Sequence, residues 1–200
     1  MLVINLLGEP GVGKSSTSGG VFYEFAVNNF RSEVVNEVAK GYAWETPKDP
    51  ATGKALSHPI FGQQIFLLGE QNRWLERVNN QREIAIMECP LLMTAIYQPD
   101  NYLSHFTPLV LQQFKQYNNV NIIIQRNHKF DPEGRVHSEE DSQEVRSKLL
   151  DFMNEHNLPY VTVKTSRDIN KKIVKYIQQN YFPDRQLLED YEDVDISDIK

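Results

Sequence analysis

The chain has 200 residues, 40% of them hydrophobic, with a formal charge of −6 and a single cysteine, Cys89. This length suits one domain with a sizeable core, and no apolar run approaches the roughly 20 residues that a bilayer-spanning helix needs. A lone cysteine excludes an intrachain disulfide and a four-cysteine zinc site. With no signal-peptide pattern at the N-terminus, it points to a reducing, cytoplasmic setting.

The first predicted element is a strand over the apolar run Leu2–Leu7. Gly8-Glu9-Pro10-Gly11-Val12-Gly13-Lys14-Ser15 follows at once and fits G-x-x-x-x-G-K-[ST], the loop that wraps nucleoside triphosphate phosphates. The three glycines allow backbone angles and close approach that let N–H groups converge on an anion. A helix over 14–29 adds its positive N-terminal end. In this pattern Lys14 reaches the β- and γ-phosphates of ATP, Ser15 ligates Mg²⁺ and Ser16 adds a phosphate contact. Gly8, Glu9, Pro10, Gly11, Val12, Gly13, Lys14, Ser15 and Ser16 are therefore the expected nucleotide-binding residues.

Further strands are expected at 33–36, 84–88, 121–125 and 160–163, and helices at 60–80, 100–118, 139–156 and 167–180. Several strands are apolar on consecutive positions, as in a sheet covered on both faces. The alternation predicts an α/β P-loop NTPase fold: a five-stranded, mostly parallel sheet with helices on both faces. Ser138 with Asp141 makes a capping-box-like start for the 139–156 helix. Two longer connections interrupt the alternation. One spans 46–59 and carries Pro47, Pro50 and Pro59. The other spans 127–137 and carries the turn Asp131-Pro132-Glu133-Gly134. Both belong at the carboxyl ends of strands, where open α/β sheets bind ligands.

The domain is expected to span 1–183, followed by an acidic, solvated and mobile tail over 184–200. That tail holds Asp184, Glu189, Asp190, Glu192, Asp193, Asp195 and Asp198 against Arg185 and Lys200. It leaves the body close to neutral. Lys164, Arg167, Lys171, Lys172 and Lys175 form the one local basic cluster, too small for a broad cationic footprint. His58, His105, His128, His137 and His156 lack metal-ligand spacing, so no zinc site is expected.

Glu88, at the end of the third strand, is placed to hold a water of the Mg²⁺ shell or to accept a hydroxyl proton. Glu37, at the end of the second, is the other candidate base. Arg126 and Arg135 flank the 127–134 turn, and a guanidinium swung over the transferring phosphoryl group would neutralise its charge. Lys40 and Arg73 are weaker phosphate-contact candidates. The aromatics Tyr42, Trp44, Phe61, Phe66, Tyr97 and Tyr102 read as core or lid packing, with base stacking as the sharper alternative. The only Asn-Lys pair, Asn170-Lys171, is followed by Lys172-Ile173, so the base-reading motif of a GTPase is absent.

Gly8–Ser16, Asn36-Glu37-Val38-Ala39-Lys40, Met87-Glu88-Cys89-Pro90-Leu91-Leu92 and Arg126…Phe130-Asp131-Pro132-Glu133-Gly134-Arg135 occur in one order over roughly 1–165. In that order they resemble the small P-loop proteins of tailed phages, related to nicotinamide riboside kinase-like ATPases. The chain departs from that pattern where Val38 stands in place of Tyr and Glu88 in place of Asp. The resemblance implies a kinase acting in the host cytoplasm. It would transfer the γ-phosphate of ATP, with Mg²⁺, to the hydroxymethyl of 5-hydroxymethyluracil in phage DNA, a step in thymidine hypermodification. Alternatives are a free nucleoside, nucleotide or nicotinamide riboside as acceptor, or a nucleotide-dependent switch with negligible transfer. DNA is thus an allowed substrate, a membrane is not expected as a partner, and oligomeric state is left open.

Overall fold

The computed structural model describes residues 1–45, 47, 59–127 and 139–200. Five parallel strands form one sheet: β1 (Leu2–Leu7), β2 (Ser32–Val35), β3 (Ile84–Met87), β4 (Asn118–Gln125) and β5 (Val161–Lys164). Their order is β2-β3-β1-β4-β5. The chain leaves β1, crosses β3's position to reach β2 and returns, and later strands add on the other side. The reversal therefore falls at β1, and the crevice beyond its carboxyl end is where such sheets hold ligands. The predicted "mostly parallel" sheet is parallel at every described pairing.

Two apolar layers follow from the two-residue period of the strands. Leu2, Ile4, Leu6, Ile84, Ile86, Ile122 and Ile124 face the helices α1 (Lys14–Val27) and α7 (Ile169–Tyr181). Val3, Leu7, Ala85, Met87 and Ile123 face α3 (Gln64–Val78), α4 (Leu92–Ile96), α5 (Phe106–Phe114) and α6 (Glu139–Glu155). The second layer also buries a polar ladder. The Asn5 amide donates to Asn119 Oδ1 at 2.9 Å and Asn121 Oδ1 at 3.1 Å, and Asn121 donates to Pro159 O at 2.9 Å. Its amides are paired, which removes the cost of burying them.

Several predicted elements shift. A helix absent from the sequence reading, α2 (Val38–Glu45), starts directly after Glu37. The expected 100–118 helix is instead α5 alone, with Pro108 tolerated in its first turn, while α4 forms earlier. The expected 60–80 helix becomes a 3₁₀ turn (Pro59–Gly62) followed by α3. β4 begins three residues before its predicted start because Asn118 to Val120 pair with Leu2 to Ile4. The connection predicted over 46–59, the 131–134 turn and Ser138 of the capping box lie, apart from Pro47 and Pro59, outside the described residues.

The expected solvated tail is packed instead. Tyr191 is 2% exposed in the layer formed by α1 and α7, and Leu187 and Ile199 pack against the same layer. Leu188 N–H donates to Asn28 Oδ1 at 2.8 Å, and Thr162 and Lys200 exchange backbone hydrogen bonds at the edge of β5. Its acids meet the basic cluster: Lys171 pairs with Asp190, Lys172 with Asp198 at 2.9 Å, and Lys175 donates to Val194 O at 2.7 Å. Apolar residues spaced among the acids, and lysines on the facing helix, are what hold a segment that composition alone reads as solvated.

Candidate functional site

The loop between β1 and α1 has the backbone its glycines were expected to supply. Gly8, Gly11 and Gly13 have φ of 147°, 83° and 97°. A Cβ on Gly8 would lie 3.0 Å from Ile124 O at a φ of 147°, so a side chain there would be crowded and strained. Lys14 opens α1 and folds back over the loop, donating to Gly8 O at 2.9 Å and Glu9 O at 3.1 Å. The first-turn N–H groups of α1 and the Lys14 ammonium are thus brought to one loop-to-helix junction, the arrangement that suits a polyphosphate.

Glu88 follows β3 directly and is 7% exposed. Ser18 Oγ donates to its Oε1 at 2.7 Å and Ser15 Oγ to its Oε2 at 3.4 Å. Ser15 and Ser18 are three apart on α1, so both hydroxyls lie on one face. The predicted Ser15–Glu88 pair is therefore brought together. Ser18 is an addition that its i, i+3 spacing from Ser15 would have flagged. Both donors are hard oxygens, the chemistry Mg²⁺ takes. Among the described residues no cluster of three or more His, Cys, Asp or Glu could hold a metal. A Mg²⁺ ion coordinated mainly by phosphate and water requires none.

Glu37 sits in the turn between β2 and α2. Burial raises its carboxyl above the ordinary glutamate range; Lys14 and Lys40 pull it down, and Glu88 adds a further upward push. Lys40, in the first turn of α2, donates to Ser15 Oγ at 3.0 Å. Glu37, Glu88, Lys14, Lys40 and Ser15 therefore form one electrostatically coupled group at the carboxyl ends of β1, β2 and β3. Burial, and then Glu37, push the neighbouring Cys89 thiol up, while burial raises Tyr97 with Cys89 and Glu37 adding to it.

Arg126 is placed differently from the sequence expectation. It follows β4, and its Nη2 donates to Pro10 O at 3.1 Å and to Ser142 Oγ at 2.9 Å. It also pairs with Glu9 at 3.6 Å, with side chains only 11% and 6% exposed. Ser142, fully buried on α6, donates to Pro10 O at 3.0 Å. Arg146 stands 4.0 Å from the second Glu9 oxygen. The structure thus ties Arg126 to the backbone and the buried acid of the phosphate loop. Arg135 lies outside the described residues, as do the side chains of Trp44 and Phe61. Arg73 pairs with Glu70 on its own helix at 2.9 Å. Tyr42 meets Phe66 edge-on, with centroids 6.1 Å apart. Ser142 carries no sequence signal, because a serine inside a charged helix is indistinguishable from a solvated one until α6 is docked.

Among the described residues, no helix is long and apolar enough to cross a membrane. No curated protein sequence matches the chain. Among solved structures, a NadR protein in complex with NAD and AMP-PNP aligns with TM-score 0.61 at 14% identity, covering 88% of this chain and 48% of that one. A NadR protein in complex with NR aligns with TM-score 0.68 at 14% identity, covering 93% and 52%. A thymidylate kinase from Ehrlichia chaffeensis aligns with TM-score 0.56 at 16% identity, covering 88% and 98%. The chain spans about half the length of the NadR structures it matches. At these identities the likeness is one of fold, and it confirms the P-loop NTPase architecture read from the strand order and the loop. The family model described as AAA domain matches residues 3–170, and the chain belongs to that family.

Proposed function

We propose that the chain is a kinase that transfers the γ-phosphoryl group of ATP, with Mg²⁺, to an acceptor hydroxyl. The observation that carries this reading is the placement of Glu37 in the turn between β2 and α2, within reach of the charges of Lys14, Lys40 and Glu88, with Lys40 itself hydrogen-bonded to Ser15 of the phosphate loop. A carboxylate there can take the proton of an attacking hydroxyl, that of an acceptor or, in its absence, that of water. A kinase needs one group for the metal side and another for the acceptor.

Residues Gly8 to Ser16 cradle the triphosphate, and Lys14 leaves the loop carbonyls to contact the β- and γ-phosphates. Ser15 and Glu88 would hold the metal side, Glu88 directly or through water. When bound, Mg²⁺ would supply charge neutralisation for the β- and γ-phosphates. Glu37 accepts the proton of the acceptor hydroxyl as its oxygen attacks the γ-phosphorus and the bond to the β-phosphate oxygen breaks. A raised carboxyl is the better base for this step. Arg135 is assigned to charge neutralisation over the transferring group. Arg126 is assigned to that role only through the loop it braces. The AMP-PNP and NR held by the NadR structures support a nucleotide donor and a small acceptor on this fold.

Two acceptor classes rest on separate observations. The order of motifs favours the hydroxymethyl of 5-hydroxymethyluracil in DNA. The pairing of Lys171, Lys172 and Lys175 with the chain's own C-terminal segment favours a free nucleoside or nucleotide, because duplex affinity depends on cations left for phosphates. The test is incubation with γ-labelled ATP, Mg²⁺ and both acceptors in parallel. Label that depends on the hydroxymethyl group assigns the DNA base, and label in a free nucleoside assigns the small acceptor. Hydrolysis with no labelled acceptor would overturn the kinase reading.

A further inference from the structure

Gln71 is a polar residue inside the apolar stripe of α3, between Leu67, Leu68 and Leu75, and it is only 3% exposed. Its amide is fully directed. Oε1 accepts the Val38 N–H at 3.0 Å, and Nε2 donates to Asn36 O at 3.0 Å. These are the peptide groups on either side of Glu37. The opposite amide orientation would set donor against donor and acceptor against acceptor, so the geometry admits one arrangement. β2 ends at Val35 and α2 begins at Val38, so Asn36 O lies beyond the strand ladder and the Val38 N–H is one of the first-turn donors a helix leaves without a partner. One register bond, from Glu88 N–H to Val35 O at 3.2 Å, fixes the end of β2 against the residue that carries the metal-side acid.

We infer that Gln71 is a positioning residue for Glu37, clamping the peptide groups before and after it so that its carboxylate is held at the mouth of the phosphate loop. The inference rests on the reading of Glu37 as the base. A glutamate on an unclamped two-residue turn would sample several directions, and loss of alignment at a reacting centre lowers turnover without weakening binding elsewhere. Gln71 touches neither the phosphate loop nor Lys14 through its clamp, so nucleotide affinity should be insulated from it.

The experiment compares wild type, Gln71→Met, Glu37→Gln and the double variant, using Mg·ATP with water as the acceptor and calorimetric binding of AMP-PNP. Gln71→Met should lower kcat for hydrolysis about tenfold and leave the AMP-PNP Kd within twofold. In the Glu37→Gln background the same substitution should change residual turnover by less than twofold, because the group it positions is gone. If Gln71→Met does not fold, Gln71→Asn keeps the amide but is one methylene too short to reach both peptide groups, and it replaces Met with the same expectation. Independent, multiplying losses in the two backgrounds would overturn the inference, as would a weakened Kd with kcat intact. Full turnover in Glu37→Gln alone would instead sink the base assignment, and the inference with it.

Discussion

Replacing Arg126 with methionine separates the place the structure gives this residue from the role its sequence position suggests. The substitution removes the guanidinium 3.6 Å from Glu9 and its hydrogen bonds to Pro10 O and Ser142 Oγ, while keeping much of the apolar stem. Glu9 is 4% exposed, and Arg146 at 4.0 Å is the cation left beside it. Deleting one partner of a buried pair costs about 3–5 kcal/mol when the other charge is stranded. The remaining arginine, and the surviving Ser142 bond to Pro10 O, discount that to about 2–3 kcal/mol. In a chain of this size each kcal/mol moves Tm by roughly 2–4 °C, so a fall of about 4–12 °C is expected. Because the loop carrying Glu9 and Pro10 is the phosphate loop, AMP-PNP affinity should weaken by about tenfold or more, as a loss near 1.4 kcal/mol implies. Urea denaturation and calorimetric titration measure both. Wild-type stability and nucleotide affinity with a lost kcat would refute the brace and restore Arg126 as a group acting on the phosphoryl centre.

Gly8→Ala puts a Cβ 3.0 Å from a main-chain oxygen at φ 147°, and about 2 kcal/mol of strain should surface as lost AMP-PNP binding; a wild-type Kd would contradict the loop geometry. Because Glu37 is raised, kcat should fall as pH drops through a limb above the ordinary glutamate range, and this limb should vanish in Glu37→Gln; a limb unchanged in that variant would assign it elsewhere. The same shift has the opposite sign for folding: its stabilising contribution is present at acid pH and lost as pH rises through the raised value, which urea midpoints measured across pH would reveal. Tyr191→Ala should cost about 3–5 kcal/mol, since the ring is 2% exposed against α1 and α7. An unchanged urea midpoint would return the C-terminal segment to the solvated state its composition suggests.

The features legible in the sequence are those set by local chemistry. The phosphate loop is written in consecutive residues, and the glycine angles follow from the motif. Several strands are apolar on successive positions, so their existence was clear; β1 stands where it was expected, and the ends of the others moved by at most three residues. Glu88 was readable because it follows an apolar run directly. What escaped was whatever depends on which elements dock. Ser142 looks like a surface residue of a polar helix until α6 meets the phosphate loop, and Gln71 interrupts an apolar stripe with no visible partner until α3 meets the β2–α2 turn. Arg126 was read as a lid residue from its place before a turn, yet a buried glutamate 117 positions upstream decides where it sits. The tail was misread because composition averages over residues, whereas Leu187, Tyr191 and Ile199 act individually as anchors.

The two ends of the sheet's carboxyl edge are stabilised in different ways, and this bears on how the site would work. On the β4 side, Pro10 O accepts from both Arg126 and Ser142, so the phosphate loop is fastened to the residues that bracket the 127–138 connection. On the β2 side, Glu37 and Lys40 lie on a turn and a short helix held by the Gln71 clamp and by Lys40's bond to Ser15. Arrival of a triphosphate would draw Lys14 off the Gly8 and Glu9 carbonyls and place anionic oxygens beside Lys40, changing the field at Glu37 from two sides at once. Under this arrangement the base faces its acceptor in a field set by the donor nucleotide. Donor and acceptor binding should then be coupled through charge, with no movement of the sheet required.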